Sequence, residues 1–291
     1  MTANQQEIPV LSSIAGLAGG YDAWLGDIWG VLHNGERPFP GALDACRRFR
    51  EAGGIVVLIS NSPRPRSAVE AQLAHIGVPA ECYDAVVTSG DTTRELMARR
   101  PGERVFHLGP ARDKPLIEGL DVVLDDVEGA EYVLCSGLYD DMRETPDDYA
   151  ELLARLMSRE LLMICANPDL MVEKGDALIY CAGALAAAYE KLGGKVIYTG
   201  KPHKPIYDMA LAYITKKKGA PAGRSKILCI GDGVKTDIAG AAAAGLDALF
   251  IASALHIDGA NSDAPLDADM LNALFYESGI KPVAAQKRLM W

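Results

Sequence analysis

Apolar residues recur along the chain in two alternating patterns. Short continuous runs, such as residues 55–59 and 227–230, are typical of parallel strands that are buried on both faces of a sheet. Between the runs lie longer segments, such as residues 42–52 and 182–192, in which apolar positions recur at helical spacing and two glycines follow directly. Repeated strand–helix units of this kind predict an α/β fold with a parallel sheet and right-handed crossovers.

Each predicted strand is a short apolar run that ends in a polar or glycine-containing turn. The predicted strands cover residues 21–27, 55–59, 85–88, 105–108, 132–135, 161–165, 195–198, 227–230 and 248–251. The predicted helices cover residues 42–52, 68–76, 92–99, 145–157, 182–192, 205–217, 236–244 and 268–276. Asp91 is the predicted N-cap of the helix at residues 92–99, and Thr145 followed by Pro146 begins the next helix.

The middle of the chain, residues 100–191, is less regular than the segments on either side. It includes residues 118–131, which contain six acidic side chains, and it has strands of its own. One interpretation is that this region continues the same sheet. At 291 residues, two domains are favoured, so we predict a core formed by residues 1–99 and 192–291 and an inserted α/β domain at residues 100–191.

Composition narrows the classes of function. The chain is 49% hydrophobic and 23% charged, with a net charge of −10. This charge argues against a general binder of nucleic acid or of anionic membranes, which needs basic patches, although a metal ion and one or two cations still allow phosphate to bind. The six cysteines are scattered without a C-x-x-C pair. The N-terminus lacks the features of a signal peptide, and no apolar run reaches the length of a membrane span. We therefore expect reduced thiols and a cytoplasmic protein.

Polar side chains follow four of the apolar runs, and each lies where a strand is predicted to end. These residues are Asp27, Ser60 with Asn61, Lys201, and Asp232 with Asp237. In a parallel sheet such strand ends can meet at one edge. The residue types fit phosphoryl transfer, because a carboxylate can attack phosphorus, a hydroxyl and backbone N–H groups can hold phosphoryl oxygens, and a lysine can offset charge. Asp27 and Asp232 also suit Mg²⁺, with Asp237 as a further or water-mediated ligand.

Each of these residues also has a simpler interpretation. Asp27 and Ser60 can cap turns, Lys201 can be a solvated surface lysine, and Asp237 can be an acidic residue favoured at a helix N-terminus. The order of the residues and their shared placement at strand ends favour one common site over a separate structural role for each residue.

Four segments resemble the sequence motifs of the haloacid dehalogenase-like hydrolase superfamily. They are DIWGVL at residues 27–32, LISNS at 58–62, GKP at 200–202 and GDGVKTDIAGAAAAG at 231–245. The chain further resembles the branch of sugar and nucleotide phosphatases that carries a large α/β cap between the second and third motifs. The resemblance implies a Rossmann-like parallel-sheet core with an inserted cap, and Mg²⁺-dependent hydrolysis of phosphate esters through an aspartyl phosphate.

The same resemblance implies roles for individual residues. Asp27 would be the nucleophile, and Ser60 and Lys201 would assist catalysis by binding the phosphate together with Asn61. Asp27, Asp232, Asp237 and the backbone carbonyl of Trp29 would hold the metal. Asn167 and Asp169, in the segment CANPD, would contact the substrate from the cap, although Asn-Pro-Asp is also an ordinary turn.

Trp29 departs from the family pattern. Phosphatases of this family have a second aspartate at this position, which protonates the leaving group and then activates water. An indole N–H is only a donor and cannot act as a base, and general acid–base help is typically worth about 10²–10⁴-fold. We therefore predict weak or selective phosphatase activity. His33 and His203 are alternative acids, and an activated phosphate such as an acyl phosphate would need none.

Three functions stay open from the sequence. The first is a phosphatase of a small phosphorylated metabolite with no nucleic-acid or membrane partner. The second is an Asp-nucleophile hydrolase of the dehalogenase type, whose members carry an aromatic residue at the Trp29 position and need no metal. The third is a protein that binds a phosphorylated metabolite with little turnover. The resemblance also leaves a homodimer open.

Overall fold

The computed structural model describes residues 7–174, 177–252, 266–276 and 278–291. Its strands are β1 (Ala23–Asp27), β2 (Ile55–Ser60), β3 (Ala85–Thr88), β4 (Arg104–Leu108), β5 (Val123–Leu124), β6 (Tyr132–Cys135), β7 (Leu162–Cys165), β8 (Met171–Lys174), β9 (Ala177–Tyr180), β10 (Val196–Tyr198), β11 (Ile227–Gly231), β12 (Asp247–Ile251) and β13 (Ala284–Gln286). Its α-helices are α1 (Ala15–Ala18), α2 (Pro40–Glu51), α3 (Arg66–Ile76), α4 (Ser89–Ala98), α5 (Ala150–Ser158), α6 (Ala182–Lys191), α7 (Lys204–Lys218), α8 (Ala239–Ala244) and α9 (Ala268–Tyr276).

Two parallel sheets organise these elements. The first has the strand order β13-β12-β11-β1-β2-β3, so that β1 lies inside the sheet between β11 and β2. Pairing is parallel and in register, with Gly26 opposite both Ile230 and Leu58. Every residue of β1 is buried, as expected for a strand covered on both faces. The parallel α/β fold class predicted from the sequence is confirmed.

The second sheet has the order β10-β7-β6-β4-β5, and all of its paired strands are parallel. Apolar side chains cover both faces. On one face Leu153 and Leu156 of α5 pack in a core cluster with Val133 of β6. On the opposite face Leu116 packs in another cluster with Val105 of β4. The second sheet therefore has its own hydrophobic core on each side.

The chain divides into two compact units. The first consists of Met1–Ser60, Glu70–Val86 and Tyr207–Trp291, and the second of Asn61–Val69 and Val87–Ile206. The predicted boundaries of a core at 1–99 and 192–291 and an insert at 100–191 stay a prediction. Strand β10, which lies inside the predicted core segment, pairs with β7 of the second sheet.

Some local features differ from the sequence predictions. Helix α4 begins at Ser89, because the Thr88 hydroxyl accepts a hydrogen bond from the Asp91 N–H at 2.9 Å. The Asp91 carboxylate in turn accepts a hydrogen bond from the Thr88 N–H at 3.2 Å, which completes a capping box. The prediction that Asp91 is the N-cap was wrong, because Thr88 is the N-cap and Asp91 is the third residue of the helix. The antiparallel hairpin of β8 and β9 was not predicted. None of the described helices is long and apolar enough to cross a membrane.

Candidate active site

Three buried carboxylates meet at the carboxyl edge of the first sheet. Asp27 is the last residue of β1, Asp232 directly follows β11, and Asp237 lies five residues further along the chain in the π-helical turn Val234–Ile238. Because β1 and β11 are parallel and in register, their ends lie side by side. One carboxylate oxygen from each residue lies within 4.8 Å of the others. The structure thus brings together three side chains whose shared role was predicted from the sequence.

Hydrogen bonds from nearby residues hold two of these carboxylates. Asp27 Oδ1 accepts a hydrogen bond from the Ile28 N–H at 2.7 Å. Asp237 Oδ2 accepts from the Gly233 N–H at 3.1 Å and from the Thr236 hydroxyl at 3.2 Å. Since these bonds are made to carboxylate oxygens at the end of a sheet, they fix the direction of each side chain.

Gly30 makes room for Asp232. Its φ of +78° lies in the left-handed region, and a Cβ placed on this residue would overlap the Asp232 carboxylate. The sequence motif contains this glycine, but only the structure shows which side chain requires it.

Trp29 lies on the loop after β1 with 43% of its surface exposed. Its ring contacts His33 edge-to-face, with the two ring centroids 5.4 Å apart. The indole also covers Gly35, where a Cβ would clash with it. The side chain at the position of the missing aspartate is therefore packed on its own loop.

His33 is a buried hydrogen-bonding residue of that loop. Its Nδ1 accepts a hydrogen bond from the Gly35 N–H at 2.9 Å, and its carbonyl oxygen accepts one from the Gly30 N–H at 2.9 Å. Burial lowers the pKa of His33 to about 4, so the ring is neutral near pH 7. These contacts support the simpler of the two interpretations of His33, that of a loop hydrogen-bonder.

A second polar cluster lies in the second unit. The Asn61 side-chain carbonyl accepts the Lys201 N–H at 2.7 Å, and its amide donates to the Lys201 carbonyl at 3.1 Å. The same amide donates to Asp169 Oδ1 at 2.8 Å. Asn167 accepts the Asp169 N–H at 3.0 Å, which is the hydrogen bond of an Asx turn. Asn61 thus connects the segment of Lys201 to the segment of Asp169.

The predicted site residues therefore fall into two groups. The first unit holds Asp27, Trp29, Ser60, Asp232 and Asp237, with Ser60 as the last residue of β2. The second unit holds Asn61, Lys201, Asn167 and Asp169. Within it Lys201 is buried, with 3% of its surface exposed, which excludes the interpretation of a solvated surface lysine.

His203, the other candidate acid, also lies in the second unit. Its ring stacks on Tyr198 with the centroids 4.6 Å apart. Burial lowers the pKa of His203, and the charge of Glu190 opposes this change. The stacking contact accounts for this histidine without a role in proton transfer.

Comparisons with known proteins agree on one family. A model of the family described as haloacid dehalogenase-like hydrolase matches residues 24–123, and a second model, described as HAD-hydrolase-like, matches residues 198–270. The ribonucleotide monophosphatase NagD of Escherichia coli is 26% identical over 231 residues, which are 78% of this chain and 86% of that protein.

Solved structures are similar over most of the chain. The crystal structure of a hydrolase of the haloacid dehalogenase-like family from Brucella suis 1330 is 51% identical, with a TM-score of 0.80, over 84% of this chain and 93% of that one. The glycerol phosphate phosphatase of Mycobacterium tuberculosis, in complex with magnesium, is 25% identical, with a TM-score of 0.63, over 85% of this chain and 73% of that one.

Proposed function

The chain belongs to the haloacid dehalogenase-like hydrolases, and from this premise we propose that it is a Mg²⁺-dependent phosphatase of a small phosphorylated metabolite. The three buried carboxylates carry the proposal. At separations within 4.8 Å, ionised carboxylates repel one another by roughly 3 kcal/mol per pair at an effective dielectric constant of about 20. A bound divalent cation removes this penalty.

The ligand chemistry fits Mg²⁺. All three side chains offer hard oxygen atoms, and Mg²⁺ is commonly held by one or two carboxylates while it keeps several waters. Asp27, Asp232 and Asp237 would hold the ion, together with the Trp29 carbonyl. When bound, the ion would neutralise part of the phosphate charge as it develops during transfer. The similarity to a phosphatase in complex with magnesium supports the choice of metal.

Asp27 is the proposed nucleophile. Its carboxylate oxygen forms a bond to phosphorus, and the bond between phosphorus and the ester oxygen breaks, with the electron pair leaving on that oxygen. The leaving alcohol takes a proton, and water then hydrolyses the aspartyl phosphate to restore Asp27 and release phosphate. Ser60, Asn61 and Lys201 are the proposed phosphate ligands. Lys201 is already buried, which increases the effect of its charge on the phosphoryl oxygens.

The loop after β1 limits the substrates. Trp29 offers no acid, and His33 is neutral with Nδ1 already accepting a hydrogen bond. The leaving group then has to depart as an anion or take its proton from water. We therefore propose selectivity for phosphates with good leaving groups.

A panel of phosphorylated metabolites tests this function. The wild-type protein should release phosphate from some members with Mg²⁺, and a chelator should stop the release until Mg²⁺ is restored. Asp27→Asn should lower kcat by about 10³-fold or more, because the amide is a poor nucleophile. Asp147→Asn, at an exposed carboxylate, is the matched control. Equal activity of wild type and Asp27→Asn would contradict the proposal, and activity that survives chelation would favour a metal-free hydrolase of the dehalogenase type.

Trp29 favours one second candidate, a protein that binds a phosphorylated metabolite with little turnover. Its exposed indole occupies the position where a general acid would be needed. Calorimetric binding of a phosphorylated metabolite to the wild-type protein, without release of phosphate over the same panel, would select this candidate.

A further inference from the structure

Buried tyrosines in the described part of the chain are of two kinds. The hydroxyl of Tyr189 donates a hydrogen bond to the Leu161 carbonyl at 2.6 Å. The hydroxyls of Tyr132 and Tyr207 have no hydrogen-bond partner among the described residues, although these side chains are as deeply buried. A buried hydroxyl without a partner costs stability, because it has given up its hydrogen bonds to water. Each of these two hydroxyls therefore needs an explanation.

Tyr207 lies beside the segment that carries Asp237. It belongs to α7 and to the same compact unit as the three carboxylates. A Cβ on Gly240 would come within 2.2 Å of the Tyr207 hydroxyl oxygen, so this oxygen lies against the backbone of α8. Gly240 follows Asp237 by three residues, in the helical segment formed by the π-helical turn and α8. Residues three apart are neighbours on a helix surface, so the hydroxyl lies one turn from Asp237.

The strand below this segment gives a second indication of where the hydroxyl lies. A Cβ on Gly231, at the end of β11, would overlap the Asp237 carboxylate, and Cys229 faces the same side of the strand because it lies two residues earlier. Burial raises the pKa of Tyr207 well above its usual value, and the nearby Cys229, Asp237 and Asp27 raise it further. Because electrostatic effects weaken with distance, these contributions place Tyr207 on the side of β11 where the Asp237 carboxylate lies.

The chemical state of Tyr207 suits a hydrogen-bond donor. Its raised pKa keeps the phenol protonated near neutral pH, and a phenol has one O–H group to donate. Donation to a carboxylate is charge-assisted and therefore stronger than donation to a neutral acceptor. In metal sites, carboxylates that bind the ion are themselves commonly held by such outer hydrogen bonds.

We propose that Tyr207 is a positioning residue of the metal site, and that its hydroxyl donates to the carboxylate cluster, directly or through one bridging water, when a divalent cation is bound. A hydrogen bond through one water is nearly as favourable as a direct one. The inference rests on the proposed Mg²⁺-dependent function. It adds a residue that lies outside all four sequence motifs.

A purely structural role of Tyr207 predicts a different result. If the hydroxyl only fills space beside Gly240, Tyr207→Phe keeps the ring and removes an unpaired polar group, so stability should stay equal or rise and Mg²⁺ should bind as before. If the hydroxyl serves the carboxylates, the same variant should keep its metal-free stability and lose affinity for Mg²⁺. The affinity for the metal therefore distinguishes the two roles.

Calorimetric titration with Mg²⁺, in the absence of substrate, tests the inference. Tyr207→Phe should raise the Kd for Mg²⁺ by about 10-fold, at the lower end of the effect typical of residues that hold metal ligands. Tyr132→Phe is the matched control, because it also removes an unpartnered hydroxyl from a buried tyrosine, but in the other unit, and it should leave the Kd unchanged. Urea unfolding in the presence of a chelator should show that Tyr207→Phe is at least as stable as the wild type.

The outcomes separate this inference from the proposed function. A rise in the Kd for Mg²⁺ that is confined to Tyr207→Phe, without loss of metal-free stability, supports the inference. An unchanged Kd or an equal rise in Tyr132→Phe overturns it. A rise accompanied by lower metal-free stability also overturns it, because the ring packing would then be the cause. In all three cases the proposed function stands where the wild type binds Mg²⁺ and releases phosphate. A wild-type protein that binds no Mg²⁺ would contradict both.

Discussion

The Nδ1 atom of His33 accepts a hydrogen bond from the Gly35 backbone N–H. A ring nitrogen that accepts has no proton of its own, so the proton of the neutral ring lies on Nε2. Together with a pKa lowered to about 4 by burial, this bond keeps His33 out of proton exchange near neutral pH. The loop that carries Trp29 therefore gives the leaving group no acid from either aromatic side chain.

The rate should depend steeply on the leaving group. We expect kcat to fall as the pKa of the leaving alcohol rises, with aryl phosphates faster than alkyl phosphates. Trp29→Asp should raise kcat for alkyl phosphates, up to about 10²–10⁴-fold, because it supplies the acid and base that the loop lacks. Trp29→Asn is the control, because asparagine has the shape of aspartate but no acid, and it should not raise kcat. Steady-state kinetics over a series of leaving groups measures both effects, and a flat dependence in the wild type would contradict the argument.

His33 should also make stability depend on pH. Its pKa is about 4 in the folded protein and about 6.5 when unfolded, so between these values the unfolded chain binds a proton that the folded chain does not. The contribution of neutral His33 to the free energy of unfolding is therefore complete above about pH 6.5. It is lost as the pH is lowered to about 4, and the loss is on the order of 3 kcal/mol. Urea unfolding at several pH values measures this. His33→Gln should flatten the decline, the exposed His75→Gln should not, and identical slopes in all three proteins would refute the assignment.

Gly30→Ala should weaken the metal site. The new methyl group would overlap the Asp232 carboxylate, and displacing such a group typically lowers metal affinity by about 10- to 100-fold. Gly53→Ala is a close control, because Gly53 has a φ of +93° but no atom within 4 Å of the added Cβ. Both variants should lose stability through backbone strain, and only Gly30→Ala should require more Mg²⁺ for half-maximal activity. Equal Mg²⁺ requirements would show that Gly30 does not shape the site.

Arg50 should matter to stability far more than its neighbour Arg47. Arg50 Nε and Nη2 bond the two Asp84 oxygens at 3.0 and 2.9 Å, and the Asp84 side chain is 5% exposed. Removing one partner of a buried ion pair typically costs about 3–5 kcal/mol of stability. Because Lys217 lies 3.5 Å from Asp84 and still offsets its charge, we expect the loss in Arg50→Met to lie near the lower end of this range. Arg47→Met removes an arginine whose side chain is 45% exposed, so water replaces its ion pair and the loss of stability should be much smaller. Denaturant unfolding compares the two, and similar losses would contradict the prediction.

Much of the fold follows from short-range patterns. Strands β1, β2 and β11 are continuous apolar runs that end in polar residues, and this pattern alone predicts buried parallel strands with side chains at one edge. The meeting of Asp27 with Asp232 follows from that arrangement, because parallel strands in register bring their ends together.

Other features have no such signal. Strands β8 and β9 have four residues each, too few to show a period, and β13 is formed by two alanines and a glutamine. His107 of β4 lies 2.9 Å, through its Nε2 atom, from the hydroxyl oxygen of Ser136, which directly follows β6, although the two residues are far apart in the sequence and belong to no motif. Only the order of strands in the second sheet brings them together, and sequence periodicity does not determine strand order.

During translation the strands of the second sheet are all synthesised before those of the first sheet are complete. The second sheet is built from one continuous stretch, Arg104 to Tyr198, whereas the first joins β1 to β11 from opposite ends of the chain. On the ribosome the second sheet can thus be completed while the first lacks half of its strands. Until Ile227 emerges, β1 exposes the backbone N–H and C=O groups of an unpaired edge. Nascent chains that stop before this residue are therefore expected to aggregate or to need a chaperone, although one of their sheets is already whole.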